Sequence, residues 1–189
     1  MGRLLAYLEL LQRWNKTYNL TAVRDPAEML TQHLFDCLAV VRPLLRFAET
    51  GRLLDVGSGG GLPGVVIAAT CPNWSVVCVD TVGKKAAFIQ QAAVELRLPN
   101  LRSEHARVEA LSAPAFDVVA SRAFSSLPDF VKLTRSHLAP GGVWMAMKGK
   151  QPDDELAKLP ADIDVFHVEQ LHVPGLSAER CIVWMRPQT

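Results

Sequence analysis

Residues 53–64 read Leu-Leu-Asp-Val-Gly-Ser-Gly-Gly-Gly-Leu-Pro-Gly, an apolar run that ends in an acid and passes straight into a glycine cluster. The apolar stretch Val65-Val66-Ile67-Ala68-Ala69 follows at once. Strand, glycine-rich turn and helix in that order build nucleotide-cofactor sites in α/β proteins. Glycine allows the tight turn and lets the backbone approach a ligand, and Pro63 suits the first turn of a helix. Gly59 to Gly64 also fits G-x-G-x-x-G literally, which alone is a weak dinucleotide signal.

The rest of the chain alternates around this stretch. Leu4, Leu8 and Leu11, with Tyr7 and Trp14 beside them, predict a helix to about Asn15, followed by a polar connection to Thr21. Asp25 as N-cap and Pro26 at the first position predict a second helical stretch to about Leu45, broken before Pro43. Strands are then expected at Leu53–Val56, Val76–Val79, Leu101–Ser103, Phe116–Ala120 and Val143–Met147. Helices Leu62–Thr70, Lys84–Leu96 and Leu127–Leu138 alternate with them, the last stopped by Pro140-Gly141-Gly142. Such alternation implies a parallel sheet with helices on both faces. The end breaks the rhythm. After a short helix at Asp153–Leu159, strands Val165–Val173 and Cys181–Arg186 are joined by a link too short for a crossover helix, so they pair antiparallel. A parallel sheet closed by an antiparallel hairpin resembles the Rossmann-like class I methyltransferases that depend on S-adenosylmethionine. The run Asp-x-Gly-x-Gly-x-Gly from Asp55 to Gly61 resembles their first motif, in which the acid holds the loop and faces the methionine end of the cofactor. The expected fold is therefore α/β, a mostly parallel seven-stranded sheet with N-terminal helices. Residues 1–50 form a helical extension and 51–189 one compact domain.

Ligands in an open α/β sheet sit beyond the carboxyl ends of the strands. Those ends supply Asp55, Asp80, Glu109, Arg122 and Lys148. Asp80 is spaced from the glycines as a ribose-hydroxyl acceptor would be, although an Asp there is also a common turn residue. Glu109 falls where an adenine-contacting segment would lie, or is a solvated loop acid. Arg122 and Lys148 end the fourth and fifth strands; they are either exposed strand-end charges or two cations that face one pocket, where they would position substrate. No Asp/Asn-Pro-Pro-aromatic motif of amino-group methyltransferases follows the fourth strand, which ends in Ser121-Arg122-Ala123-Phe124. Cys71 stands at the wrong end of its helix to attack a base. Guanine N7 presents a lone pair and loses no proton on methylation, so it needs alignment rather than a base or a covalent nucleophile.

The four cysteines and five histidines are scattered without zinc spacing, so no metal site is expected and the thiols read as reduced structural groups. No signal peptide or long apolar span appears, which predicts a soluble cytoplasmic protein without membrane contacts. A net charge of +1 does not advertise nucleic-acid binding, so weak binding to free RNA with a modest salt slope is expected.

Trp14-Asn15-Lys16-x-Tyr18-Asn19-Leu20-Thr21-x-Val23-Arg24-Asp25-Pro26, followed by Glu28-Met29-Leu30 and His33, is similar to the N-terminal signature of the RsmG family. These are bacterial 16S ribosomal RNA guanine-N7 methyltransferases, also called glucose-inhibited division protein B. The glycine loop, Ser121-Arg122-Ala123-Phe124, Lys148-Gly149 and Val173-Pro174-Gly175-Leu176 with Glu179-Arg180 match as well. The resemblance implies S-adenosylmethionine as cofactor and a guanine in the 530-loop region of 16S rRNA as target, within the small ribosomal subunit or an assembly intermediate. A monomer is expected. Family cofactor contacts fall on Gly57, Leu62, Val108, Glu109 and Arg122. The glycine loop adds Asp55, Ser58, Gly59 and Gly61, and the fold adds Asp80. Members often carry a further N-terminal stretch, so this chain is expected to be short there. Gly60 replaces the Ala or Pro of other members, which should loosen the loop. A nicotinamide-dependent oxidoreductase and a non-catalytic cofactor-binding ribosome-assembly factor are the alternative readings.

Overall fold

A computed structural model describes residues 2–188. Its centre is one seven-stranded sheet in the order β3-β2-β1-β4-β5-β7-β6. The strands are β1 Gly51–Val56, β2 Trp74–Asp80, β3 Leu101–His105, β4 Phe116–Ser121, β5 Leu138–Lys148, β6 Ile163–Leu171 and β7 Arg180–Pro187. β1 to β5 are parallel, while β7 pairs antiparallel with both β5 and β6. Consecutive strand residues face opposite layers: Leu53, Val76 and Val118 enter one core, Leu54, Val77 and Val119 the other. Both layers are covered, which is why these strands read as continuous apolar runs rather than alternating ones.

Helices α1 Gly2–Tyr18, α2 Pro26–Met29, α3 Asp36–Leu38, α4 Val41–Phe47, α5 Gly64–Thr70 and α6 Gly83–Glu95 accompany the first layer. Helix α7 Leu127–Thr134 covers the second, with α8 Asp153–Leu156 beside it. No helix among the described residues is long and apolar enough to cross a membrane.

Four local expectations change. α1 runs past Asn15 to Tyr18, and Asn15 is buried, binding the Thr21 amide through Oδ1 and the Val23 carbonyl through Nδ2. The second helical stretch is interrupted twice. Leu30–Phe35 widens into a π-helix, and the helix breaks at Ala39 and Val40, ahead of Pro43. Pro63 precedes α5 instead of lying inside it. Pro140-Gly141-Gly142 does not stop α7, which already ends in a 3₁₀ turn at Arg135–His137. That tripeptide is a bulge within β5, since Phe116 pairs with Leu138 but Val118 pairs with Val143. Gly142 is required there because a Cβ would stand 2.9 Å from the Phe116 and Ala139 carbonyl oxygens.

α6 closes in a Schellman turn: the Leu98 amide binds the Ala93 carbonyl and the Arg97 amide binds that of Val94. Arg97 therefore sits in the left-handed region at φ 53°, just beyond the helix. Arg97→Gly should relieve that conformation and raise stability by on the order of 1 kcal/mol in urea unfolding.

Candidate functional site

The glycine loop leaves β1 and is held from several sides. Gly57 and Ser58 donate their amides to the Val79 carbonyl, and the Ser58 carbonyl receives the amides of Gly61 and Leu62. Ser58 Oγ donates back to the Asp55 carbonyl at 2.7 Å. Two strand-end carboxylates complete the frame: Asp80 Oδ2 accepts the Gly59 amide and Asp55 Oδ2 the Gly64 amide, each at 2.9 Å. Tyr7 of α1 donates its hydroxyl to the Gly60 carbonyl at 2.6 Å. A Cβ at Gly60 would stand 3.2 Å from Leu11, so the looseness expected of this glycine is offset by the helix packed on it.

Gly57 and Gly59 have φ 68° and 59°, and a Cβ on either would meet nothing within 4 Å. Their backbone thus faces open space. The space beside Gly57 is a cleft of about 410 Å³ whose lining also includes Asp80, Lys85, Val108, Glu109 and Phe124. Asp80 binds the loop through one oxygen and the Val82 amide through the other, leaving further lone pairs for a ligand. Val108 and Glu109 form a 3₁₀ turn, held by buried His137, whose Nε2 lies 2.7 Å from the Val108 carbonyl. A carbonyl only accepts, so this nitrogen carries the proton.

Beside the cleft lies a second cavity of about 360 Å³, lined by Gln32, His33, Asp36, Arg122, Lys148 and Arg180 among others. Ala123 lines both. Arg122 and Lys148 do face one pocket, as expected, but neither is a free cation. Arg122 Nη1 donates to the Gln32 carbonyl at 3.0 Å and lies 3.4 Å from both His33 Nδ1 and Asp36 Oδ2. Asp36 is buried and also accepts from Arg180 Nε at 2.9 Å. Lys148 Nζ is paired with Glu155 at 2.8 and 3.0 Å, and Glu155 in turn accepts the Leu127 amide. His33 Nδ1 faces a guanidinium and so accepts, which places the proton on Nε2, 2.7 Å from Thr21 Oγ1. Burial, then the Arg122 charge, lowers its pKa and keeps it neutral.

Of the residues expected to serve the cofactor, Gly57, Asp80, Val108 and Glu109 line the larger cleft and Arg122 the smaller. The side chains of Asp55, Ser58 and Leu62 are buried behind the loop. Gly59 binds Asp80, and Gly61 abuts α5, where a Cβ would stand 2.4 Å from Val65. Asp36, Gln32 and Tyr7 were not foreseen. Their role depends on partners far along the chain, and no local pattern marks it. His33 and Arg180 are marked in the sequence only by the family signature.

Burial pushes the Asp55 carboxyl up to about 6, outweighing the Gly64 amide and the Arg122 charge, and its Oδ1 has no hydrogen-bond partner. Burial likewise raises Cys37 to about 12 and Cys78 well above the usual thiol range. These thiols stay protonated and are poor nucleophiles. The folded protein holds the Asp55 proton up to about pH 6, whereas an unfolded chain releases it near 4. Asp55 therefore costs stability as pH rises through that window, by on the order of 3 kcal/mol in total. Asp55→Asn should remove this component, so that the variant gains on wild type between pH 4 and 6 in urea titrations. Parallel stability curves would exclude it.

The rRNA small subunit methyltransferase G model of the GidB family matches residues 1–183. The "Ribosomal RNA small subunit methyltransferase G" of Paracidovorax citrulli is 64% identical, over 100% of this chain and 82% of that protein. The protein of the same name from Leptothrix cholodnii is also 64% identical, over 98% of this chain and 86% of its own length. Among solved structures, the glycopeptide N-methyltransferase MtfA superposes with a TM-score of 0.68 at 12% identity, covering 87% of this chain and 99% of that one. TrmN from Thermus thermophilus superposes with a TM-score of 0.64 at 20% identity, over 84% of this chain and 53% of its own. The fold is thus that of class I S-adenosylmethionine-dependent methyltransferases, and the chain belongs to the GidB family of rRNA small subunit methyltransferase G proteins.

Proposed function

We propose that this chain methylates N7 of one guanine in the 530-loop region of 16S rRNA, using S-adenosylmethionine. It would act as a cytoplasmic monomer on the small ribosomal subunit or an assembly intermediate. The observation that carries the reading is the pair of cavities meeting at Ala123, one under the glycine loop and one lined by paired cations. Residues 1–50 serve as a helical extension that clamps Gly60 and supplies Gln32, His33 and Asp36 to the second cavity.

The residues of the larger cleft fit the cofactor. The turn at Gly57 leaves open space beside the backbone. Asp80 can accept ribose hydroxyls on its remaining lone pairs, while Val108 and Glu109 suit the adenine. Asp55 and Ser58 hold the loop from behind, with Gly59, Gly61 and Leu62 shaping it. S-adenosylmethionine, when bound, supplies a methyl group on a sulfonium. Everything else falls to positioning. Arg122 and Lys148 orient the guanine or its phosphates, and no side chain need remove a proton, because N7 offers a lone pair. His33 is unsuited to be a base, since both its nitrogens are engaged. The methylated base gains a positive charge, and the Asp36 and Glu155 carboxylates offset the cations around it.

A nicotinamide-dependent oxidoreductase is disfavoured by the antiparallel ending of the sheet and by family membership. Radiolabelled S-adenosylmethionine with small subunits from a strain lacking the modification should label one guanine N7. Label elsewhere would break the target assignment, and cofactor binding without label would indicate a non-catalytic assembly factor. In the same assay Arg122→Ala should lose about two orders of magnitude in rate, as misplaced reacting groups do, whereas Arg97→Ala should match wild type. Equal rates would remove Arg122 from the site.

A further inference from the structure

A third cavity, of about 310 Å³, opens near the sheet edge between α4 and β6. Phe47 and Phe166, 39% and 38% exposed, stand over buried Trp184 at its floor. The Phe47 and Trp184 rings are stacked, 5.6 Å between centroids and 26° between planes, while Phe166 lies 6.4 Å from Trp184 at a tilt. The chain itself leaves these two rings in contact with solvent, where apolar surface is costly.

Arg46 lines the cavity and Arg186 stands over one of the rings. Arg186 lies 5.0 Å over Phe166, and Arg42 and Arg46 stand one turn apart on α4. Arg46 and Arg186 pair with Glu169 and Asp164, and Arg42 has no ion pair among the described residues. Guanidinium groups beside part-exposed aromatic rings suit a stacked base with its phosphate better than an aliphatic side chain. The volume lies at the small end of ligand cavities, enough for one heterocycle.

This cavity and the cavity of Arg122 share no lining residue, but the same elements carry both. β7 carries Arg180 on that cavity and Trp184 on this one, about 13 Å apart along the strand. The helical run carries Asp36 on the first and Phe47 on the second. One strand of RNA can span that distance.

We infer that Phe47, Phe166 and Trp184 form a clip for one unpaired nucleobase of the rRNA, a few nucleotides from the methylated guanine. The inference rests on the rRNA reading above. The clip anchors the strand so that the target reaches Arg122 in register, and it acts on substrate binding without touching the cofactor.

The test uses the full chain and unmethylated small subunits. Phe47→Leu with Phe166→Leu keeps apolar bulk but removes two π-faces, and should raise the KM for subunits about tenfold. The kcat and the KM for S-adenosylmethionine should stay within twofold, and Phe47→Tyr with Phe166→Tyr should restore the wild-type KM. A benzophenone-bearing residue at position 166 should photocrosslink to rRNA. An unchanged KM in the Leu variant, or a crosslink to a ribosomal protein alone, would overturn the clip. Should wild type transfer no methyl group at all, it is the rRNA methylation reading that fails. The crosslink then decides the clip separately: rRNA capture keeps it, and absence of rRNA capture sinks it.

Discussion

Two strand-end carboxylates hold one loop, and the rest of the site depends on that arrangement. Asp55 and Asp80 each accept a loop amide at 2.9 Å, at Gly64 and Gly59. This fixes where the backbone stands relative to the cleft. Close packing leaves no freedom behind the loop, for a Cβ at Gly64 would stand 2.3 Å from Cys78 Sγ. The arrangement costs stability. Asp55 is fully buried with one oxygen unpaired, and burial raises its pKa to about 6. A carboxylate in that position costs free energy.

The N-terminal helices reach the glycine loop and line the second cavity. Tyr7 reaches the loop directly. A chain of polar contacts then runs from Asn15 through Thr21 to His33, from His33 to Arg122, and from Arg122 through Asp36 to Arg180. Each member is a partner of the next, so removing one leaves a buried donor, acceptor or charge uncompensated. The π-helical widening at Leu30–Phe35 presents Gln32 and His33 to Arg122. Such irregularities recur at functional sites.

Pairing also changes what the cations can do. Free arginine and lysine would attract any phosphate, whereas Arg122 and Arg180 share Asp36 and Lys148 pairs with Glu155, so they present oriented donors with much of their charge offset. Orientation rather than attraction is what an alignment-driven methyl transfer requires.

By itself the sequence determined the order of strands and helices, the parallel sheet with its antiparallel ending, and the strand ends that carry Asp55, Asp80, Arg122 and Lys148. All of these follow from local signals: apolar runs, glycine and proline punctuation, and links too short to cross over. Even there, Pro140-Gly141-Gly142 misled, because a bulge inside β5 and a helix stop share the same residues. What only the tertiary structure decided is which charges are paired and which glycines face open space. Arg122 meets Asp36 across 86 residues of chain, and Arg180 meets the same carboxylate across 144. Tyr7 finds the Gly60 carbonyl 53 residues away. Periodicity registers which face of an element is apolar, but a hydrogen bond is set by the position of a single distant atom, and only the packed fold fixes that.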